Sequence, residues 1–378
     1  MLAQKLKVAK ILSSLVFFAA VFIPVFAFSL NITSGEISWI YSFIWSLVVA
    51  GIAFMMSYTQ KIHFYRRVFF VLLAATFLVH FKFSLISDDF RAICFENTPY
   101  CHIAIASSFF NYLYQQYLAL MSGGWKLWAP VSFAFLWLFV TLVLGRAWCS
   151  WACFYGGIDE FFSSLGRKKI LFLAKGVFRF RDLPAAILIF FLLVSFSGMT
   201  SAFCVWLCPY KFTSAFMSAD FVSRFFQILF MLFALVFAFL LPFLVKKRTF
   251  CSFLCPFSAW QSFFGRVNPF RIILNKEECS KCMVCYESCP VLAIEKGEDG
   301  FPKINDYCNL CSACVDICPQ KCLKYSVFGL LLKEKDSPWA NFISVKFAAV
   351  YSFIVFSGVF SSLFAPAALY DIFRWTVK

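Results

Sequence analysis

Acidic side chains and histidines are scarce in this chain. It carries 19 Asp and Glu, three His and only 14 % charged residues in 378. Soluble domains hold about a quarter charged residues, so most of this chain cannot present a water-facing exterior. The three histidines are His63, His80 and His102, and no His- or Met-rich tract accompanies them, which argues against a role in moving metal. There is also no C-x-x-C-H haem signature, no phosphate loop and no zinc-hydrolase motif. Covalent haem, P-loop nucleotide chemistry and zinc hydrolysis therefore drop out.

Apolar residues are what the chain has: 62 % of it, including 55 Phe. A bilayer core of about 30 Å needs about 20 apolar residues in a helix. Seven stretches qualify, roughly 11–30, 39–57, 68–86, 129–147, 183–203, 225–245 and 343–365. The first follows Lys5, Lys7 and Lys10, as a signal peptide would. Its length and lack of a small-x-small cleavage site favour a retained anchor. The stretch 103–121, with Asn111, Gln115 and Gln116, reads as an interfacial or re-entrant helix, or else as a further span. With the N-terminus inside, 27 of the 34 Lys and Arg fall on the inner side, as the retention of basic residues in the cytoplasm requires. The net charge of +15 is thus explained by topology and anionic lipid, without nucleic acid.

Of the 17 cysteines, eight form two runs of identical spacing. Cys279, Cys282, Cys285 and Cys289 are followed by Pro290; Cys308, Cys311, Cys314 and Cys318 are followed by Pro319. Both read C-x2-C-x2-C-x3-C-P, 29 residues apart. This is the spacing of a bacterial ferredoxin with two 4Fe–4S clusters, in which the fourth cysteine of each run ligates the other cluster. Crossed ligation assigns Cys279, Cys282, Cys285 and Cys318 to one cluster and Cys308, Cys311, Cys314 and Cys289 to the other. Two four-cysteine zinc sites are the rival. Zinc has no need of the doubling or of the two prolines. A module at about 276–326 sits on the inner side in the topology above, where thiols stay reduced. At around 50 residues it depends on its clusters for folding energy.

Six more cysteines make three C-x3-C pairs at the ends of apolar stretches: Cys149/Cys153, Cys204/Cys208 and Cys251/Cys255. Positions i and i+4 share a helix face, which suits a redox or metal role; small buried hydrophobes are the plainer reading. The segments Gly145-Arg146-Ala147-Trp148-Cys149 and Arg248-Thr249-Phe250-Cys251-Ser252-Phe253-Leu254-Cys255-Pro256, followed by a two-cluster ferredoxin, resemble the NapH/NosR-type membrane polyferredoxins over roughly 129–326. That resemblance implies a protein of the cytoplasmic (inner) membrane that passes electrons between the quinone pool and a redox partner such as a reductase, cytochrome or ferredoxin. It also admits a relative that reduces or moves copper during assembly of a respiratory enzyme. Phe154 stands where the family has Pro after the second cysteine, so that turn is expected to differ.

The expected topology sorts the thiols. Cys149, Cys153, Cys251 and Cys255 lie inside, as candidates for an additional iron–sulfur or metal centre or a dithiol relay. Cys204 and Cys208, with Cys94 and Cys101, lie outside, as a metal site, a Cys94–Cys101 disulfide or free thiols. Cys322 reads as a spare thiol. His80, inside the third stretch near Lys82, reads as a contact to a quinone headgroup or metal, or as a helix-packing histidine. The expected fold is a membrane all-α bundle of about seven transmembrane helices with an inserted α+β two-cluster bacterial ferredoxin-like domain. Residues 1–275 would form a six-helix region, 276–326 the ferredoxin, and 327–378 a linker and a last helix.

Overall fold

A computed structural model describes residues 2–32, 39–84, 106, 109–124, 137–138, 140–165, 169–171, 180–198, 225, 228–229, 232–233, 235–328 and 344–377. In chain order its helices are α1 (Leu2–Ile32), α2 (Trp39–Thr59), α3 (Ile62–Ser84), α4 (Phe109–Met121), α5 (Trp148–Trp151), α6 (Phe154–Ser164), α7 (Leu183–Gly198), α8 (Leu241–Val245), α9 (Thr249–Phe253) and α10 (Pro256–Phe264). Then follow β1 (Phe270–Leu274), α11 (Val284–Ser288), β2 (Ile294–Lys296), β3 (Pro302–Ile304), α12 (Ala313–Ile317), β4 (Leu323–Val327), α13 (Val345–Ser361) and α14 (Ala365–Val377). The chain divides into two units: 1–81 with 143–157 and 267–378, and 82–142 with 158–266.

In the first unit α1, α2 and α13 pack through small and hydroxyl residues. A Cβ on Gly358 would stand 2.7 Å from Val25 and 3.0 Å from Val49, so only glycine admits this approach. Trp45 Nε1 donates to Ser361 Oγ at 2.9 Å, and Ser14 Oγ to Ser57 Oγ at 3.1 Å. Such small-residue contacts replace the hydrophobic drive that lipid-facing helices lack. Apolar side chains such as Ile23 and Leu47 cover the outer faces of these helices. After α13 the chain bends by 48° into α14, because Pro366 has no N–H for the helical bond and its ring crowds the carbonyl four residues back.

The ferredoxin module, in the same unit, is built on two antiparallel pairs. β1 pairs with β4, from Phe270↔Val327 to Leu274↔Leu323, and β2 with β3. The closing strand pair thus begins at Phe270, and the Phe270 ring meets Phe353 of α13 at 5.5 Å.

In the second unit α4 is 13 residues long, about 20 Å, short of a full span. Phe109, Trp137 and Trp260 form an aromatic cluster, with Trp137 and Trp260 at 4.7 Å.

Among the described residues, four helices are long and apolar enough to cross a membrane: Val8–Ile32, Trp39–Thr59, Ile62–His80 and Phe180–Ser197. The bent pair Val345–Ser361 and Ala365–Thr376 makes a fifth if it is one span. These fall on five of the seven expected stretches. The other two, 129–147 and 225–245, lie partly outside the described residues, and their described parts include the π-helical turns Val140–Leu144 and Val236–Leu240.

Candidate functional site

The two cysteine runs fold as copies of each other. Left-handed backbone occurs at Lys281 and Leu310, at Met283 and Ser312, and at Leu292 and Lys321, each pair 29 residues apart. Each run then enters a five-residue helix, α11 or α12, that ends at Cys289 (φ −65°, ψ 115°) or Cys318 (φ −66°, ψ 115°). Non-glycine residues rarely take positive φ. Repeating it at three matched positions curls each run around a hollow. One hollow is lined by Cys279, Cys282, Cys285 and Cys318. The other is lined by Cys289, Cys308, Cys311 and Cys314.

The donor set is thiol against an apolar wall, with Met283 and Pro302 in the first hollow and Ile272, Ile294 and Ile304 in the second. Among the described residues, no three His, Cys, Asp or Glu side chains stand close enough to hold a single metal ion. Tetrahedral zinc at about 2.3 Å would draw its thiolates to roughly 3.8 Å of one another. Thiols spread around a hollow suit a polynuclear cluster better. Burial pushes the Cys285 thiol up to about 11, the Cys308 thiol up to about 12 and the Cys314 thiol well above its usual range. Metal-free, these groups keep their protons at neutral pH, and binding iron must expel them. Cys322, expected to stand apart, also lines the first hollow, with its Sγ 3.4 Å from Cys318 Sγ.

The hollows differ in cover. Cys282 of the first run is exposed, whereas Cys311 and Cys314 of the second are buried. Three successive carbonyls of the second run meet side chains from the helical part of the same unit. Ser150 Oγ donates to Asn309 O, Trp151 Nε1 to Leu310 O at 3.3 Å and Arg66 Nε to Cys311 O at 3.1 Å. Arg66 is fully buried, and its Nη1 also donates to Ser150 O at 2.7 Å. The His63 backbone N–H donates to Asp316 Oδ2 at 2.6 Å, and Arg146 lies over the Tyr307 ring at 4.7 Å. Segment 58–67, segment 146–153 and the ferredoxin module thus meet on one face of this unit. Sequence reasoning did not single out Arg66 and Arg146 as fasteners. The signal available was an arginine pair beside an apolar helix.

Ser150 and Trp151 belong to the Cys149/Cys153 pair. This turn and the Cys251/Cys255 turn, 102 residues later, have the same backbone. In the first, the N–H groups of Ala152 and Cys153 both donate to Trp148 O; in the second, those of Leu254 and Cys255 both donate to Phe250 O. The linking residues match as well: Ala152 (φ −123°, ψ −21°) and Leu254 (φ −120°, ψ −22°). The difference expected from Phe154 does not occur. Phe154 opens α6 as Pro256 opens α10. Proline is favoured at a first helical position but not required there.

All four thiols are buried, but the surroundings differ. The Cys149 turn lies in the first unit. Phe154, next to Cys153, stacks on Phe77 at 3.8 Å and 6°. Phe77 is 15 residues into α3, roughly 22 Å along its axis, so this turn runs from the ferredoxin contact well down the helix. The Cys251 turn lies in the second unit among buried charges. Arg248 Nη2 donates to Cys251 Sγ at 3.3 Å, Arg248 pairs with Glu160 at 3.6 Å, and the Cys251 N–H donates to Asp159 Oδ2 at 3.0 Å. Burial lifts Asp159 to about 7, against the pull of Arg248. Asp159 and Glu160 escaped the sequence reading, although two adjacent acids in an acid-poor chain were a signal.

Cys94, Cys101, His102, Cys204 and Cys208 lie outside the described residues. His80 sits in α3, with Asp371 of α14 as a charged neighbour.

Comparison with known proteins fits this geometry. A family model described as a 4Fe-4S binding domain matches three times, at residues 127–172, 183–228 and 227–276, and each match contains one C-x3-C pair. A model described as a 4Fe-4S dicluster domain matches 271–320. The chain is 27 % identical over 194 residues to the putative electron transport protein YccM of Escherichia coli, covering 48 % of this chain and 50 % of that protein. It is 26 % identical over 205 residues to the ferredoxin-type protein NapH of Haemophilus influenzae, covering 52 % and 67 %. It is 27 % identical over 195 residues to the regulatory protein NosR of Stutzerimonas stutzeri, covering 49 % and 25 %. The chain therefore spans half of YccM, about two thirds of NapH and a quarter of NosR. No solved structure matches it.

Proposed function

Given that the chain belongs with the NapH/NosR-type polyferredoxins, we propose that it relays electrons between the quinone pool and a partner redox protein of an anaerobic-type respiratory chain. Cys279, Cys282, Cys285 and Cys318 hold one 4Fe–4S cluster, and Cys289, Cys308, Cys311 and Cys314 the other. The clusters supply one-electron carriage. The chain's own residues decide who reaches them. The exposed edge at Cys282 serves the soluble partner, a reductase, cytochrome or ferredoxin. The second run faces the helices. The observation that carries this reading is the row of three carbonyls at 309–311 held by Ser150, Trp151 and Arg66 beside the Cys149 turn.

In this reading Cys149 and Cys153 in one unit, and Cys251 and Cys255 in the other, are further redox or metal-binding thiols. Cys94, Cys101, Cys204 and Cys208 serve the opposite side. The protein is a seven-span component of the inner membrane with its ferredoxin module in the cytoplasm, and it acts as an electron-transfer subunit, not as a complete enzyme. Iron and acid-labile sulfide per purified chain, together with redox titration by menaquinol and ubiquinol analogues, test the assignment. Eight irons that respond rapidly to quinol support the relay. Eight irons with Cys149, Cys153, Cys251 and Cys255 all freely alkylated remove the additional centre. Metal-dependent oxidation with no quinol response would favour a copper-reducing maturation factor instead.

A further inference from the structure

The repeat that builds the two hollows breaks at one buried position. Residues 293 and 322 are equivalent, 29 apart, and each follows the fourth cysteine of its run by four residues. In the first run the Ala293 N–H donates to Cys289 Sγ at 3.2 Å. In the second the backbone of Cys322 likewise bonds to the Cys318 sulfur. Position 293 then ends in a methyl group, whereas position 322 adds a thiol, 3.4 Å from Cys318 Sγ and within hydrogen-bond reach of Cys279. That thiol is buried and faces the hollow of Cys279, Cys282, Cys285 and Cys318. The first hollow thus has five thiols and the second four.

Resting on the assignment of these four cysteines as ligands, we propose that Cys322 is not a ligand but an S–H donor to the Cys318 sulfur, raising the reduction potential of the first centre above that of the second. A cube needs four protein thiolates, and the doubled spacing supplies them without Cys322. A neutral S–H is a weak donor, but a bond to an anionic sulfur is charge-assisted. Hydrogen bonds to the sulfurs and solvent exposure are among the factors that set these potentials. The exposed Cys282 edge works in the same direction.

Potentiometric EPR on the purified full chain tests this, with iron counted on each sample. Wild type should show two waves. The first centre is the wave whose signal relaxes faster with a soluble paramagnetic ion. Cys322→Ala should keep eight irons and move that wave alone to lower potential, by about a tenfold change in the reduced-to-oxidised ratio, ~59 mV. Cys322→Ser, which keeps an O–H donor, should recover part of the shift. Eight irons with neither wave moved would overturn the inference and leave the ligand assignment standing. Loss of four irons in both variants would also overturn it, since Cys322 would then be a ligand. Wild-type protein with fewer than eight irons and no 4Fe–4S signal would instead sink the underlying assignment.

Discussion

The two C-x3-C turns share a backbone and differ in everything around it. Each folds as one short helical turn closed by a pair of N–H bonds to a single carbonyl. Around Cys149 the neighbours are carbonyls and aromatic rings, and the turn serves as a seat for the ferredoxin module. Around Cys251 they are Arg248, Asp159 and Glu160, sealed from water. The repeat therefore delivers two thiols to a helix end, and the surroundings decide their use. One turn is built for contact with the second cysteine run. The other is built around charges next to a thiol.

The comparison can be broken hardest at Arg248. Arg248→Ala leaves Asp159 and Glu160 buried without their cation, and loss of one partner of a buried pair costs about 3–5 kcal/mol. A fall of that size in the thermal stability of the detergent-solubilised protein is expected. An unchanged melting temperature would mean that the acids reach water. Arg66→Gln acts on the other turn. It strips the charged donor from Cys311 O and Ser150 O, worth roughly 1.5–3 kcal/mol. Reduction by a quinol analogue should slow at least tenfold while dithionite still reduces both clusters. Equal slowing by both reductants would point to damaged clusters instead of lost docking.

Gly157 sharpens the contrast further. Its equivalent, 102 residues on, is Ala259, which already carries a Cβ. At Gly157 a Cβ would meet Phe70 O at 2.7 Å and Ala74 Cβ at 2.6 Å. Gly157→Ala should cost about 1–3 kcal/mol through overpacking, measured by the same melt, whereas Ala259→Gly should not relieve any crowding. The last test is a pH slope. Asp159 rises from its ordinary 3.8 to about 7 through burial, so the folded protein binds this proton more tightly than the unfolded chain. Its contribution favours folding below about pH 4 and is lost as pH rises towards 7. Asp159→Asn should flatten the pH dependence of the melting temperature over that window; an identical slope in both proteins would remove Asp159 as its source.

Much of this could be read from residue spacing. The 29-residue repeat predicted which cysteines gather, because the left-handed positions that curl each run recur with it. The C-x3-C spacing predicted two thiols per helix end. What spacing could not convey was contact between distant segments. Arg66 and Ser150 touch the ferredoxin carbonyls across 245 and 159 residues, and the partners are backbone atoms that leave no trace in residue type. The Pro-to-Phe change at 154 misled because the turn geometry is set by the bonds to Trp148 O, not by the ring of a proline. Cys322 looked spare because it falls outside the ligand spacing, although, just before strand β4, it lines the same hollow.

The central claim is that electrons pass between a membrane quinol and the ferredoxin clusters. Stopped-flow reduction of the purified chain in liposomes by a menaquinol analogue, followed by the bleaching of cluster absorbance, tests it most directly. The relay predicts rapid bleaching in wild type and at least tenfold slower bleaching in Arg66→Gln, with eight irons in both. Full clusters that dithionite bleaches and quinol leaves untouched would contradict it.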